Sequence, residues 1–224
     1  DQIIHDVCLQ NLPVIFALDR AGLVGDDGPT HNGPFDIAYF RAIPNITIMV
    51  PKDENELQHM LYTATFINGP STLRFPRGSG IGVGLDAELK KIEIGKGDFL
   101  KEGNDLLILG IGPILYDTMQ AADELKCNPT IINAMFVKPL DENLILKYAR
   151  KFRSIITVEE GTVNGGFGSA VLELINKHNI KPNLKLIGVP DNFIEHGKPD
   201  IQKKLAGIDK ESIKLAINEM LDKK

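Results

Sequence analysis

Leu12-Pro13-Val14-Ile15-Phe16-Ala17-Leu18, followed by Asp19-Arg20-Ala21-Gly22-Leu23-Val24-Gly25-Asp26-Asp27-Gly28-Pro29-Thr30-His31-Asn32-Gly33, is the stretch whose reading decides the fold. The first part is a continuous apolar run bounded by turn residues, the pattern of a buried strand. The second holds four glycines and a proline and suits neither an ordinary helix nor an ordinary strand. It reads as a long loop leaving a strand end, the place where ligands bind in open α/β sheets. Loops of this length inside compact domains are functional or disordered. The buried strand before it and the apolar helix expected over Phe35 to Arg41 argue against disorder. Past its first residue, Asp19, the loop carries one cation, Arg20, two carboxylates, Asp26 and Asp27, and one imidazole, His31.

Outward from this loop the chain alternates strand and helix. Residues 46–50 form a short β-branched strand closed by Pro51. Asp53 is an N-cap, with Glu56 three residues on completing a capping box. The helix that follows places Leu57, Met60, Leu61 and Ala64 on one face and ends at Asn68-Gly69-Pro70. Residues 71–75 are a further strand, and Pro76-Arg77-Gly78 turns out of it. A β-loop-α-β-α-β order demands a parallel sheet. Glycines at 78, 80, 82, 84, 95, 97 and 103 then punctuate short apolar pieces, read as a linker over 81–104 with a small strand at Ile92–Ile94. Gly80-x-Gly82-x-Gly84 lacks the strand-before, helix-after context of a dinucleotide fingerprint. From 105 to 224 the pattern repeats: strands at 106–111, 130–135, 154–158 and 184–189, with helices at 114–125, 141–152, 168–178, 199–205 and 210–221. The expected architecture is α/β, with two domains (1–80 and 105–224) of mostly parallel sheets flanked by helices.

The 224 residues are enough to bury a sizeable core. A net charge of −5 leaves no basic footprint for nucleic acid, and no apolar run reaches membrane-spanning length. Cys8 and Cys127 lack metal-type spacing and read as reduced, buried thiols. The chain opens inside an amphipathic pattern, with Ile3, Ile4, Val7 and Cys8 on one helical face and no initiating Met or signal-type core; it is expected to be a piece of a longer chain.

Several residue types point to chemistry. Arg20 and Arg77 follow two strand ends on the same side of one sheet, and planar guanidinium forks converging there suit phosphate oxygens. The alternative is a pair of surface arginines neutralised by acids. Arg74 is expected to point to the opposite face. Asp27 and His31, four apart in the loop, offer an imidazole beside a carboxylate, suited to donating or shuttling protons near neutral pH. Gly165-Gly166-x-Gly168 opens a helix after a strand and has amides for an anion, though close packing explains it as well. Glu159 and Glu160 end a strand with nothing else supporting an acid pair. His5, His59 and His178 lie within helical patterns as structural or surface residues, and His196 stays open.

As a set, these residues resemble the 1-deoxy-D-xylulose-5-phosphate synthase family, thiamine-diphosphate enzymes of the transketolase superfamily. The likeness extends along nearly the whole chain. Beyond the D-R-A-G-L-V-G-D-D-G-P-T-H-N-G loop it rests on Pro51-Lys52-Asp53-Glu54-Asn55-Glu56-Leu57, Leu73-Arg74-Phe75-Pro76-Arg77-Gly78, Phe136-Val137-Lys138-Pro139-Leu140-Asp141, Val158-Glu159-Glu160 with Gly165-Gly166-Phe167-Gly168-Ser169, and Gly188-Val189-Pro190-Asp191 with Phe193-Ile194. The resemblance implies the C-terminal portion of such an enzyme: part of a pyrimidine-binding domain, a linker and a transketolase C-terminal domain. It implies pyruvate and glyceraldehyde 3-phosphate as substrates, Arg20 and Arg77 holding the acceptor phosphate, and Asp27 and His31 as catalytic residues lining the channel to the cofactor. It also implies a homodimer in the cytoplasm, or in a plastid if the source is eukaryotic. Thiamine diphosphate and Mg²⁺ would be bound mainly by an N-terminal portion, because the family's cofactor-activating glutamate falls upstream of Asp1 and no Gly-Asp-Gly with a spaced Asn occurs here. No metal ligands are assigned within the chain. The alternatives are a non-catalytic module that binds a partner chain or a phosphorylated metabolite, or another transketolase-like enzyme such as a ketoacid dehydrogenase β subunit.

Overall fold

A computed structural model describes residues 1–25 and 27–222; Asp26, expected to be solvated or turn-forming, lies outside the described residues. Ile3–Cys8 winds as a π-helix that seats Cys8 in the core and packs Ile3 against it. Ile4, expected on the same face, is 44% exposed, because the wider π winding rotates it away. Then come β1 (Ile15–Leu18), α1 (Asp36–Arg41), β2 (Thr47–Met49), α2 (Glu54–Ala64) and β3 (Ser71–Arg74), in the order the sequence predicts. β2 and β3 are buried on both faces, as strands of a helix-covered parallel sheet must be. On α2, Met60 and Ala64 are buried, but Leu61 is turned out and 47% exposed.

The second half contributes β4 (Asp98–Lys101), β5 (Leu107–Gly110), α3 (Ile114–Glu124), β6 (Thr130–Asn133), β7 (Phe136–Lys138), α4 (Glu142–Ala149), β8 (Ser154–Thr162), α5 (Phe167–Lys177), β9 (Asn183–Val189), α6 (Pro199–Leu205) and α7 (Lys210–Asp222). The fold is α/β with two sheets, ordered β1-β3-β2-β7 and β4-β6-β5-β8-β9, parallel except for the edge strands β7 and β4.

Three features depart from the sequence reading. The strand expected over 130–135 breaks at Asn133, whose side-chain oxygen accepts the Met135 amide (3.1 Å), while Met135 takes a left-handed turn (φ 59). The chain thereby leaves the second sheet, and Phe136–Lys138 joins the first, antiparallel to β2. The small strand in the glycine-rich segment is at Asp98–Lys101, pairing with β6, not at Ile92–Ile94. Ile92 instead packs under α2, where its amide donates to Thr63 Oγ1 (2.8 Å). Finally, β8 runs on to Thr162 rather than stopping at Val158.

The apolar core crosses between the two sheets. One cluster joins Ile37, Phe40, Ile46 and Ile48 with Leu107, Leu109, Ile145 and Phe167. A second lies between β5, β8, β9, α3 and α7 and includes Leu23 from the long loop. Cys8 is buried and Cys127 only half-buried; both thiols are free, and burial raises the pKa of each. Among the described residues no helix is long and apolar enough to cross a membrane.

Candidate active site

β1 and β3 run parallel with Leu18 beside Arg74, so the chains leaving them emerge side by side. The Ala21 amide donates to Phe75 O (3.0 Å), extending that alignment past the strand ends. The long loop is pinched shut at its base: Gly22 and Gly33 exchange both backbone hydrogen bonds, at 3.0 and 2.8 Å. A Cβ on Gly33 would come within 2.5 Å of Arg20 O, so this closure requires glycine.

Above the base, the loop is braced by the second half of the chain. The Leu23 amide donates to Glu160 Oε1 (3.1 Å) and the Gly25 amide to Gln202 Oε1 (2.8 Å). Gln202 is fully buried and donates back to Gly25 O and to Glu195 O. Asn32 accepts from the Val24 amide and donates to Ile194 O. His196 is exposed; its backbone and Cβ pack against Gly28 (φ +70), a structural placement. None of Gln202, Asn32 and Glu160 was singled out from sequence as supporting the loop, and the only signal was the polar side chain on an otherwise ordinary helix, loop or strand.

Arg20 sits just past β1 in a left-handed conformation (φ 57), is exposed, and makes no ion pair with a described residue. Arg77, past β3, donates to Asp27 Oδ2 at 2.6 Å; their side chains are 46% and 36% exposed. The loop therefore brings Asp27 to Arg77 rather than to His31. The exposed His31 ring meets Thr30 Oγ1 through Nδ1 at 2.9 Å. Arg74 turns inward, as strand alternation predicts. Its Nε donates to both Asp36 carboxylate oxygens (2.9 and 2.7 Å), and its Nη2 to Glu160 O (2.7 Å) and Gly33 O (3.4 Å). It ties the loop's end to α1 and β8.

The glycine-rich signals do correspond to anion-holding backbones, and the anions are the protein's own. At the start of α5, the Phe167 and Gly168 amides donate to Glu159 Oε2 and Oε1 at 2.9 and 2.8 Å. Burial pushes the Glu159 carboxyl up to about 7, opposed by those two amides and by more distant Arg74 and Arg41. In the 78–84 segment, the amides of Ile81, Gly82 and Val83 all point at Glu54. Glu160 is committed to Leu23 and, at 3.6 Å, to Lys203. The two carboxylates thus have separate structural partners.

A polar cluster fixes the start of α2. Asp53 caps it by accepting the Glu56 amide (2.7 Å), but Glu56 reaches one residue further back than a capping box, to the Lys52 amide (2.6 Å). Glu56 also takes Lys52 Nζ and Asn133 Nδ2, and Asp53 takes the Tyr116 hydroxyl (2.9 Å). Burial, then the hydrogen bond to Asp53, pushes the Tyr116 phenol up to about 12. Buried His59 is structural, accepting the Lys90 amide at Nδ1 and therefore donating to Asp86 from Nε2.

Comparison with known proteins matches two family models in succession along the chain. The family described as "Transketolase, pyrimidine binding domain" matches residues 1–81, and "Transketolase, C-terminal domain" matches residues 95–213. The chain is 50% identical over 226 residues to the 1-deoxy-D-xylulose-5-phosphate synthase of Syntrophus aciditrophicus, covering 99% of this chain and 35% of the relative. It is 50% identical to that of Aquifex aeolicus over 224 residues, covering 99% and 36%. The chain thus spans about a third of the length of these relatives. Among solved structures, a split-gene transketolase described as an inactive beta4 tetramer superposes with a TM-score of 0.84 at 26% identity, covering 99% of this chain and 71% of that one. A Pichia stipitis transketolase mutant, at 19% identity and a TM-score of 0.68, covers 96% of this chain and 31% of its own, and shares the fold.

Proposed function

Because the chain belongs to the transketolase family, we propose that it is the C-terminal part of a 1-deoxy-D-xylulose-5-phosphate synthase. The whole enzyme would be a thiamine-diphosphate-dependent transferase. It would decarboxylate pyruvate and join the two-carbon unit to glyceraldehyde 3-phosphate, giving the first intermediate of non-mevalonate isoprenoid synthesis. The observation that carries this reading is Arg20 standing without an ion partner among the described residues, just past β1, with Arg77 just past the neighbouring β3. In this reading residues 1–80 are the later part of the pyrimidine-binding domain, 81–104 the linker and 105–224 the C-terminal domain. The enzyme would work as a cytoplasmic homodimer, or in a plastid if eukaryotic.

Arg20 and Arg77 would hold the acceptor's phosphate, each presenting a planar fork of donors. The Asp27–Arg77 pair is open enough to water that the phosphate can share or replace Asp27 at small cost. Asp27 and His31 would then face the reacting carbonyl and hydroxyl groups, with the His31 ring holding or passing a proton. Thiamine diphosphate supplies carbanion stabilisation when bound. Among the described residues no group of three or more His, Cys, Asp or Glu is placed to hold Mg²⁺. Metal and diphosphate would be held by the upstream portion.

The test is pyruvate consumption with thiamine diphosphate, Mg²⁺ and glyceraldehyde 3-phosphate, by the chain alone and with the upstream portion of the same gene product added. Turnover is expected only on complementation, with Arg77→Ala raising KM for the phosphorylated acceptor. Silence in both mixtures, with folding verified, would favour a non-catalytic binding module. Turnover by the chain alone would refute the assignment of cofactor activation to upstream residues.

A further inference from the structure

Arg77 is followed by Gly78-Ser79-Gly80-Ile81-Gly82-Val83-Gly84, a run with little intrinsic stiffness. At Gly78 (φ +116) and Gly82 (φ +92) nothing lies within 4 Å of where a Cβ would sit, so packing does not hold them. A cavity of about 190 Å³, lined by Lys52, Leu57, Phe75, Gly78 and Ile81, separates part of the run from the start of α2. What holds it is Glu54, in the first turn of α2. Its Oε2 accepts the Ile81 amide (3.0 Å), and its Oε1 accepts those of Gly82 (2.5 Å) and Val83 (3.1 Å). The carboxylate also lies on Gly80, where a Cβ would come within 2.6 Å of Glu54 Cδ. Gly80 is thus the gap that admits it.

Glu54 forms no ion pair with a described residue, so its carboxylate is met by backbone amides rather than by a cation. Its own backbone amide first, then those of Gly82, Ile81 and Val83, hold its carboxyl below the ordinary glutamate value against some desolvation. It therefore stays ionised, and its charge strengthens each bond. The anchor point is rigid, because the first turn of α2 is locked by Asp53, Glu56, Lys52 and Asn133.

We propose that Glu54 is a positioning residue for Arg77: by clamping Ile81–Val83 to the start of α2, it fixes the turn that presents the Arg77 guanidinium to the acceptor's phosphate. This rests on the function proposed above. A clamp with a merely local role would close the loop without changing what Arg77 binds, and the two cases separate by experiment.

The experiment uses the assembled enzyme, this chain with its upstream portion, and compares glyceraldehyde 3-phosphate with unphosphorylated glyceraldehyde. Glu54→Gln removes the charge and one acceptor oxygen. Gly80→Ala drives the carboxylate off the amides while leaving Glu54 in place. Each is expected to raise KM for the phosphorylated acceptor about tenfold, the scale of one charge-assisted hydrogen bond. Expected too are kcat within twofold of the parent, unchanged kinetics with glyceraldehyde, and faster hydrogen exchange at Gly82 and Val83. Faster exchange with an unchanged KM would overturn the proposal, as would equal losses with both acceptors or exchange that does not rise. Arg77→Ala is the separate control. If it leaves discrimination between the two acceptors intact, the phosphate role of Arg77 fails, and the role of Glu54 falls with it.

Discussion

Replacing Arg74 by methionine should be among the most damaging single changes that leave the proposed reactive groups in place. The side chains of Arg74 and Asp36 are only 5% and 9% exposed and meet through two hydrogen bonds from Nε. Methionine fills much of the same space but leaves the Asp36 carboxylate buried, with the Ile37 amide (2.9 Å) as its hydrogen-bond donor among the described residues. It also strips Glu160 O and Gly33 O of a cationic donor. Breaking one side of a buried pair costs about 3–5 kcal/mol, most of it the uncompensated charge. With an m-value of about 2 kcal/mol/M in urea, the unfolding midpoint should fall by roughly 1.5–2.5 M at unchanged m. Asp36→Ala alone should also destabilise, and the double variant should lose less than the sum, with a coupling energy of about 2 kcal/mol or more. A loss in Arg74→Met below about 1 kcal/mol, or strict additivity in the cycle, would show that the pair does not behave as a desolvated ion pair and would refute the reasoning.

Two further predictions concern other parts of the same region. Burial raises the Glu159 carboxyl from 4.5 to about 7, so the folded protein holds that proton more tightly than the unfolded chain does. The stability this confers is full below pH 4.5 and is lost as pH rises through about 7. Relative to Glu159→Gln, which cannot titrate, the parent should lose about 3 kcal/mol across that window, at 1.36 kcal/mol per pKa unit; a pH-independent difference in unfolding free energy would refute it. Gly22→Ala must place a Cβ at φ +75 and 2.6 Å from Glu160 Cγ, displacing the acceptor of the Leu23 amide. It should cost about 2–4 kcal/mol in thermal or denaturant unfolding. Gly84→Ala, with no atom within 4 Å of the new Cβ, should change stability by less than about 1 kcal/mol. Equal effects at the two glycines would show that the loop base is not as tightly built as described.

Most of the fold was legible because its strands and helices follow local rules. Short β-branched runs closed by proline gave β2, and Asp53 marked the start of α2. What escaped was decided by distant partners. β7 is a strand because β2 offers it an edge, and the break that frees it is the Asn133–Met135 turn, which no hydrophobic period announces. The braces on the site loop are non-local in the same way: Gly25 and Gln202 lie 177 residues apart. A buried glutamine on a short helix is invisible until the fold puts the loop against it. Leu61 faces out for a simpler reason. An apolar residue at the margin of a helical stripe can face outward without penalty large enough to enforce the pattern.

The site residues show a finer limit. Glycine spacing announced backbone amides free to hold an anion at residues 165–168, and the amides are there; a second set stands at residues 81–83, where the spacing had argued against a nucleotide loop. No spacing rule could say that Glu54 and Glu159 occupy them, because a carboxylate supplied from elsewhere in the chain satisfies an amide cradle as well as a ligand does. The discriminating property is what remains unpaired after folding. Around the loop, Arg74 is consumed by Asp36 and Glu160 O, and Arg77 is shared with Asp27. Arg20 alone of these three finds no acid among the described residues, although a positive φ places it at a strand end beside Arg77. Its backbone lies in the packed loop base, where a Cβ on Gly33 would come within 2.5 Å of Arg20 O. The left-handed φ belongs to that closure, while the exposed side chain is left without an acid among the described residues. The phosphate reading therefore rests more firmly on Arg20 than on the glycine-rich motifs, and Arg20→Ala should weaken the phosphorylated acceptor without lowering stability. A stability loss above about 1 kcal/mol in that variant would mean that Arg20 is held for structural reasons and would reverse this ranking.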